Sequence, residues 1–132
     1  AVPDRVDEMP FDSERKLMTT LHGPGPRGRW EQYTKGAPDV LVGRCTHELR
    51  AGQAVALTDA DRVRIQDVIN DYADDGLRTL AIARRHHSNR PEPLDVGHEQ
   101  GLTLLGVIGI ADPAKADVLP VIAEAARAGV KR

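Results

Sequence analysis

The chain has 132 residues, 40% of them apolar, with 18 basic and 20 acidic side chains and a formal charge of −2. That length holds one ordinary domain with a real core, and charges of both signs spread along it do not make the clustered basic face that a nucleic-acid partner requires. A single cysteine, Cys45, leaves no internal disulfide and no paired-cysteine metal site, which fits a reducing compartment.

The first elements are short. Residues 5–10 and 15–22 read as two strands parted by the polar step "DSE". "GPGPRG", residues 23–28, has the composition of a hairpin connection, and "RWEQYTKG" after it alternates Trp30, Gln32 and Thr34 with Glu31, Tyr33 and Lys35. "GAPDVLVGRC" reads as a short helix with Pro38 in its first turn, where a missing N–H costs nothing. Cys45 falls at its end and is read as a small core residue.

The clearest helix runs from about Asp59 to Asp75. Thr58 and Asp61 make a capping-box pattern, Ile65, Val68, Ile69 and Tyr72 share one face, and Gly76 stops it. "LRTLAIARR" follows as a buried strand, "HHSNRPEPLDVGHEQ" as a polar loop, and "LTLLGVIGIAD" as a second strand too apolar to be exposed. That last run is far too short to span a bilayer, and the acidic start "AVPDRVDEM" lacks the apolar segment of a signal peptide. "KADVLPVIAEAARAG" is helical by composition, starting near Asp117 or bending at Pro120. The missing initiator Met, and the missing strand after Gly129, read as a piece cut from a longer protein. The fold class is α+β: a largely antiparallel sheet with helices packed on it, incomplete on its N-terminal side.

Several chemistries fail at the level of residues. Gly23, Gly25 and Gly28 match G-x-G-x-x-G, but Pro24 and Pro26 remove two N–H donors and a strand pattern follows instead of a helix. The five histidines have no metal-ligand spacing; His86 and His87 point to opposite faces of a strand, and His22, His47 and His98 lie in or beside loops, all read as solvated. Ser13 stands outside any nucleophile elbow. What is left is the only Phe, Phe11, set among Asp12, Glu14, Arg15 and Lys16, with Lys35 and Gly36 on the neighbouring strand. A ring to stack on, two cations and a glycine admitting close approach make a surface for a ligand that is both aromatic and anionic.

"PFDSERKLMTT", "YTKGAPDVLVGRC", "DDGLRTLAIA" and "LLGVIGIADPAKADV", in this order, resemble the cytoplasmic part of P-type cation-transporting ATPases, and within them the calcium-pump-like group of the second type. The likeness covers roughly residues 5–132 and implies a nucleotide-binding domain over 1–111, with 112–132 the truncated start of the phosphorylation domain. It implies ATP as ligand, as Mg-ATP in the whole pump. By the same likeness, Phe11 is implied to stack on adenine, Lys16 and Met18 to line the pocket, Lys35 with Gly36 to form its floor, Arg78 to reach the phosphates and Leu80 to touch the ring. Asp112 marks the return to the phosphorylation domain without accepting a phosphoryl group.

The implied partners are the phosphorylation and actuator domains and the transmembrane helices of the same chain. The implied location is the cytoplasmic side of an integral membrane protein. Departures from the family pattern are Ser13, where reticulum calcium pumps have Arg, and Lys115 in "DPAK". The segment with the phosphorylated Asp is absent, so no catalytic residue is expected here. Binding of ATP is expected near 1 mM, roughly −4 kcal/mol. The alternatives are a stand-alone interaction module that has lost nucleotide binding and, third, a small soluble phosphatase.

Overall fold

The computed structural model describes residues 4–111 and 121–122. Among them the strands are β1 (Arg5–Met9), β2 (Leu17–His22), β3 (Trp30–Gly36), β4 (Cys45–Arg50), β5 (Gln53–Ala56), β6 (Arg78–His87), β7 (Leu102–Ile110) and β8 (Val121–Ile122). The helices are α1 (Pro38–Leu41) and α2 (Asp59–Asp74). One mixed sheet runs β1-β2-β3-β6-β7-β4-β5, with β8 added on β7. Every pairing is antiparallel except β4 with β7. The α+β reading with a largely antiparallel sheet therefore holds.

Strand alternation decides which face is covered. Leu17, Thr19 and Leu21 of β2, Gln32 and Thr34 of β3, and Ala81 and Ala83 of β6 are buried, while the residues between them are half-buried or exposed. On β7 the phase shifts at a bulge opposite Ile82 and Ala83, so Leu102 and Leu104 are buried first and Val107 and Gly109 afterwards. Over this face lies α2, which packs Ile65, Val68 and Tyr72 against Leu17, Leu41, Cys45 and the buried residues of β6 and β7. Each such side chain stabilises by roughly 1.5–3 kcal/mol. The capping box is present: Asp61 N donates to Thr58 Oγ1 at 3.1 Å and Thr58 N to Asp61 Oδ2 at 2.9 Å. Residues 88–101 cover the rest of the same face, with Leu94 and Glu99 buried.

The Gly/Pro segment 23–29 joins β2 to β3 as an antiparallel hairpin, with a short 3-10 turn at Pro26–Gly28 and no helix after it. Four sequence-based expectations change. The helix over 36–45 is one turn of α1 followed by a 3-10 turn at Val42–Arg44, and Cys45 begins β4. Cys45 is still a core residue, and burial pushes its thiol up to about 12. The β4–β5 hairpin was not anticipated at all. The histidines are not all solvated residues of strands and loop edges: His47 lies within β4, and His87, the last residue of β6, is half-buried. Its Nε2 lies 2.8 Å from Gln32 Oε1, and its ring meets that of His98 edge-on. Finally, Val121–Ile122 pair with Ile108 and Gly109 as a strand instead of continuing a helix, in keeping with the extended preference of β-branched residues. The remainder of that expected helix, and Asp112, lie outside the described residues.

Candidate functional site

The face of β2, β3 and β6 that no other described residues cover carries the candidate site. Register places Met18 opposite Lys35, and Lys35 opposite Ile82. One row further along stand Thr20, Tyr33 and Arg84, and beyond them His22, Glu31 and His86. Directly opposed side chains in such rows lie within about 5 Å of each other. A concavity of about 430 Å³ opens here, lined by Arg5, Met18, Thr20, His22, Tyr33, Lys35 and Ile82, which is within the size range of small-molecule sites. Leu80 precedes Ile82 on the same face, and Arg78 opens the strand opposite Ile110 of β7.

Phe11 and Lys16 sit in the turn between β1 and β2, next to the Met18–Lys35 end of that face. The turn is built locally. Asp12 Oδ1 accepts from Glu14 N at 2.7 Å and Arg15 N at 3.2 Å, and these N–H groups hold the Asp12 carboxyl below the usual carboxylate range. Lys16 turns back with φ +64°, its N–H donating to Asp12 O and its carbonyl accepting from Ala37 N at 3.2 Å. Phe11 is 61% exposed, an unusual place for the one Phe of a chain unless the ring is used.

Gly36 has a reason inside the sheet. A Cβ there would overlap the Lys16 carbonyl oxygen and come within 2.9 Å of Leu17 Cδ2. Only glycine lets the end of β3 close on the turn that carries Lys16.

Beyond Met18, Lys35 and the apolar Ile82, the lining is Arg5, Thr20, His22 and Tyr33, side chains that carry polar groups and no negative charge. Thr20 Oγ1 and His22 Nε2 are 2.9 Å apart, and Tyr33 donates its hydroxyl to Glu31 Oε1 at 2.8 Å. Burial, with that hydrogen bond, pushes the Tyr33 phenol up, so it stays a donor at neutral pH. Burial and then the nearby Arg29 and Arg84 push His86 down. Such a surface suits a flat, partly polar ring with an anionic tail.

Of the residues singled out by sequence, Met18 and Lys35 line the concavity, Leu80 and Arg78 continue its face, and Phe11, Lys16 and Gly36 form the adjoining turn and its seat. Sequence reasoning missed Thr20, His22, Tyr33 and Ile82. The alternation of β2 and β3 contained that signal: Thr20 and His22 share parity with Met18, and Tyr33 with Lys35. Among the described residues no cluster of three or more metal-ligating side chains occurs, and no helix is long and apolar enough to cross a membrane.

Residues 3–117 match the family described as P-type ATPase, cytoplasmic domain N. The chain belongs to this family. It is 34% identical over 131 residues to calcium-transporting ATPase 1 of Bacillus cereus, covering 98% of this chain and 14% of that protein. To the calcium-transporting ATPase of Bacillus subtilis it is 36% identical over 96% of its length, again 14% of the relative. To plasma membrane calcium-transporting ATPase 4 of Bos taurus it is 38% identical, with 91% of this chain and 10% of the relative covered. The N-domain chain thus spans about a seventh of the length of its bacterial relatives. The resemblance to calcium pumps read from the four motifs agrees with those names.

Proposed function

We propose that this chain is the ATP-binding domain of a membrane-embedded P-type pump that couples ATP hydrolysis, through an aspartyl-phosphate, to cation transport, with Ca2+ the favoured ion. Residues 1–111 form the nucleotide-binding domain, and the chain passes into the phosphorylation domain from Asp112. The observation that carries the reading is the Met18–Lys35–Ile82 row, set in a 430 Å³ concavity beside the turn that exposes Phe11. The names of its relatives support the transport reading.

ATP, as its magnesium complex in the whole pump, supplies the phosphoryl group; the residues here bind and orient it. Phe11 offers a ring for adenine, an interaction worth roughly 1–3 kcal/mol. Met18 and Leu80 give the base apolar contact, Lys16 and Lys35 supply point charge, and Arg78 a forked one, to the anionic tail. Holding ATP for an acceptor on another domain makes this domain's contribution one of positioning. The test is an ATP titration followed by two-dimensional amide NMR, with Lys35→Ala as control. Saturable shifts around Phe11, Lys16, Gly36 and Arg78 that vanish in the variant are expected. No shift at several millimolar ATP would transfer the lead to a stand-alone interaction module.

A further inference from the structure

Beneath the sheet, on the face opposite the concavity, lies a charged group that the nucleotide site does not touch. Glu99 is completely buried, yet it is contributed by a polar loop. Its Oε1 accepts from Arg15 Nε at 2.7 Å, and its Oε2 accepts from Thr19 Oγ1 at 2.6 Å. Thr19 Oγ1 in turn lies 2.8 Å from Thr34 Oγ1, and Gln32 Nε2 donates to Thr34 Oγ1 and to the His98 carbonyl, each at 2.9 Å. Arg44 Nη1 donates to the Glu99 carbonyl at 3.2 Å, which ties the loop to the end of the α1 segment.

Arg15 is the part of this network that reaches the site. While its Nε is held by Glu99, its Nη2 donates to the Pro10 carbonyl at 3.1 Å and to the Met9 carbonyl at 3.5 Å. It therefore closes the 10–16 turn across its base. Phe11 projects from that turn and Lys16 leaves it. A buried charge pair is costly to desolvate, and packed apolar residues often serve stability equally well. A buried Glu–Arg pair spent on one surface turn is better explained by geometry than by stability.

We propose that Glu99 is a positioning residue of the nucleotide site, which through Arg15 holds Phe11 and Lys16 in place for ATP from the far side of the sheet. The proposal rests on the nucleotide-binding reading. The same clamp reaches Thr19 and Thr34, the residues next to Met18 and Lys35 on their strands, so one carboxylate sets the turn and the floor together.

The experiment is a double-mutant cycle on ATP affinity in this chain, read by amide NMR titration. The variants are Glu99→Gln, Phe11→Ala and the two combined, with Arg15→Gln breaking the same pair from the turn side. Glu99→Gln is expected to weaken ATP binding by about tenfold, and by little further once Phe11 is already alanine, because coupled residues give non-additive effects. A merely structural role would instead give additive losses, and that result would overturn the proposal. If Glu99→Gln fails to fold, Arg15→Gln carries the cycle, and unchanged affinity in that variant overturns the proposal equally. Unchanged affinity with ATP still binding the parent chain refutes the clamp alone, whereas a parent chain that does not bind ATP refutes the nucleotide reading and the clamp with it.

Discussion

Gly36→Ala is the substitution on which the geometry of this domain makes its sharpest demand. A methyl at that position overlaps the Lys16 carbonyl oxygen and stands 2.9 and 3.0 Å from Leu17 Cδ2 and Cα. Two of these three atoms are backbone, so no rotamer change relieves the clash; β2 and β3 must separate at the end where they pair Leu17 with Gly36. Overpacking that forces backbone shifts typically costs 1–3 kcal/mol, and loss of the Ala37-to-Lys16 hydrogen bond adds about 1 kcal/mol. The expected destabilisation is about 3 kcal/mol or more, a large part of the roughly 5–15 kcal/mol that a domain has. With a urea slope of about 2 kcal/mol per molar, the midpoint should fall by about 1.5 M.

Two glycines calibrate the effect. At Gly109 the atoms met are Leu77 Cδ1 and the Tyr72 ring, both at 2.9 Å and neither of them backbone; a loss at the low end of the overpacking range, about 1 kcal/mol, is expected there. At Gly43 nothing lies within 4 Å, and alanine should be neutral or stabilising by about 0.5 kcal/mol through the unfolded chain. Urea unfolding of the three variants, with amide shifts at Lys16 and Ala37, tests the order. Gly36→Ala within 1 kcal/mol of the parent chain, or less damaging than Gly109→Ala, would refute the reasoning.

Phe11→Ala should leave stability within about 0.5 kcal/mol of the parent, since the ring is 61% exposed, while weakening ATP binding by about tenfold, in the lower half of the stacking range; calorimetric melting and NMR titration separate the two. Thr58→Ala removes a capping box whose bonds are both present, and a loss of about 1 kcal/mol in thermal unfolding is expected. His87 gives a pH dependence. Burial, then Arg85 and His98, push it down to about 4 from an ordinary 6.5, so the unfolded chain binds its proton first. Its contribution is complete above pH 6.5 and is lost as pH falls toward 4, by roughly 1–2 kcal/mol after allowance for its partial exposure. His87→Gln, followed by melting temperature from pH 7 to 4, should flatten that part of the profile; an unchanged slope would count against the assignment.

The elements that were legible in the sequence are those whose polarity and period agree. In α2 the cap, the apolar stripe and the stopping glycine all point the same way, and its range is recovered to one residue. β6 and β7 are apolar enough to be found without knowing their partners. β4 and β5 escaped notice because their burial does not follow an apolar alternation: β4 buries only Cys45 and Glu48, and β5 buries nothing fully. A bulge between Cys45 and His47 breaks the alternation, and the buried residue that follows is Glu48, held by Arg50 and Arg64. The turn that joins them, Ala51–Gly52, uses positive φ at both positions without the Asn or Asp that usually announces it. Glu99 was equally invisible, because its acceptors serve Arg15 and Thr19, 84 and 80 residues away in sequence. The proposed nucleotide residues were read by a different route: the motif words resemble a family, and the bare chemistry of one Phe and two Lys pointed to the same surface.

The polar core also explains how this sheet keeps its site on the correct side. On β2 and β3 the buried residues include Thr19, Gln32 and Thr34, and the exposed face carries Met18, Thr20, Tyr33 and Lys35. On β3 hydrophobicity alone would not choose between the two faces, since Tyr33 is at least as apolar as Gln32 and Thr34, whereas on β2 Leu17 and Leu21 favour the observed one. A slip of one residue would exchange them, burying Lys35 and opening Gln32 to water. What opposes the slip is also directional: Thr19, Thr34, Gln32 and Glu99 satisfy one another only in the observed register, and a slip that turns the first three to the other face would leave Glu99 buried without Thr19, at about 1–3 kcal/mol. Burial of Leu17 and Leu21 and the hydrogen-bonded underside of β2 and β3 together determine that the sheet collapses with the cavity outward.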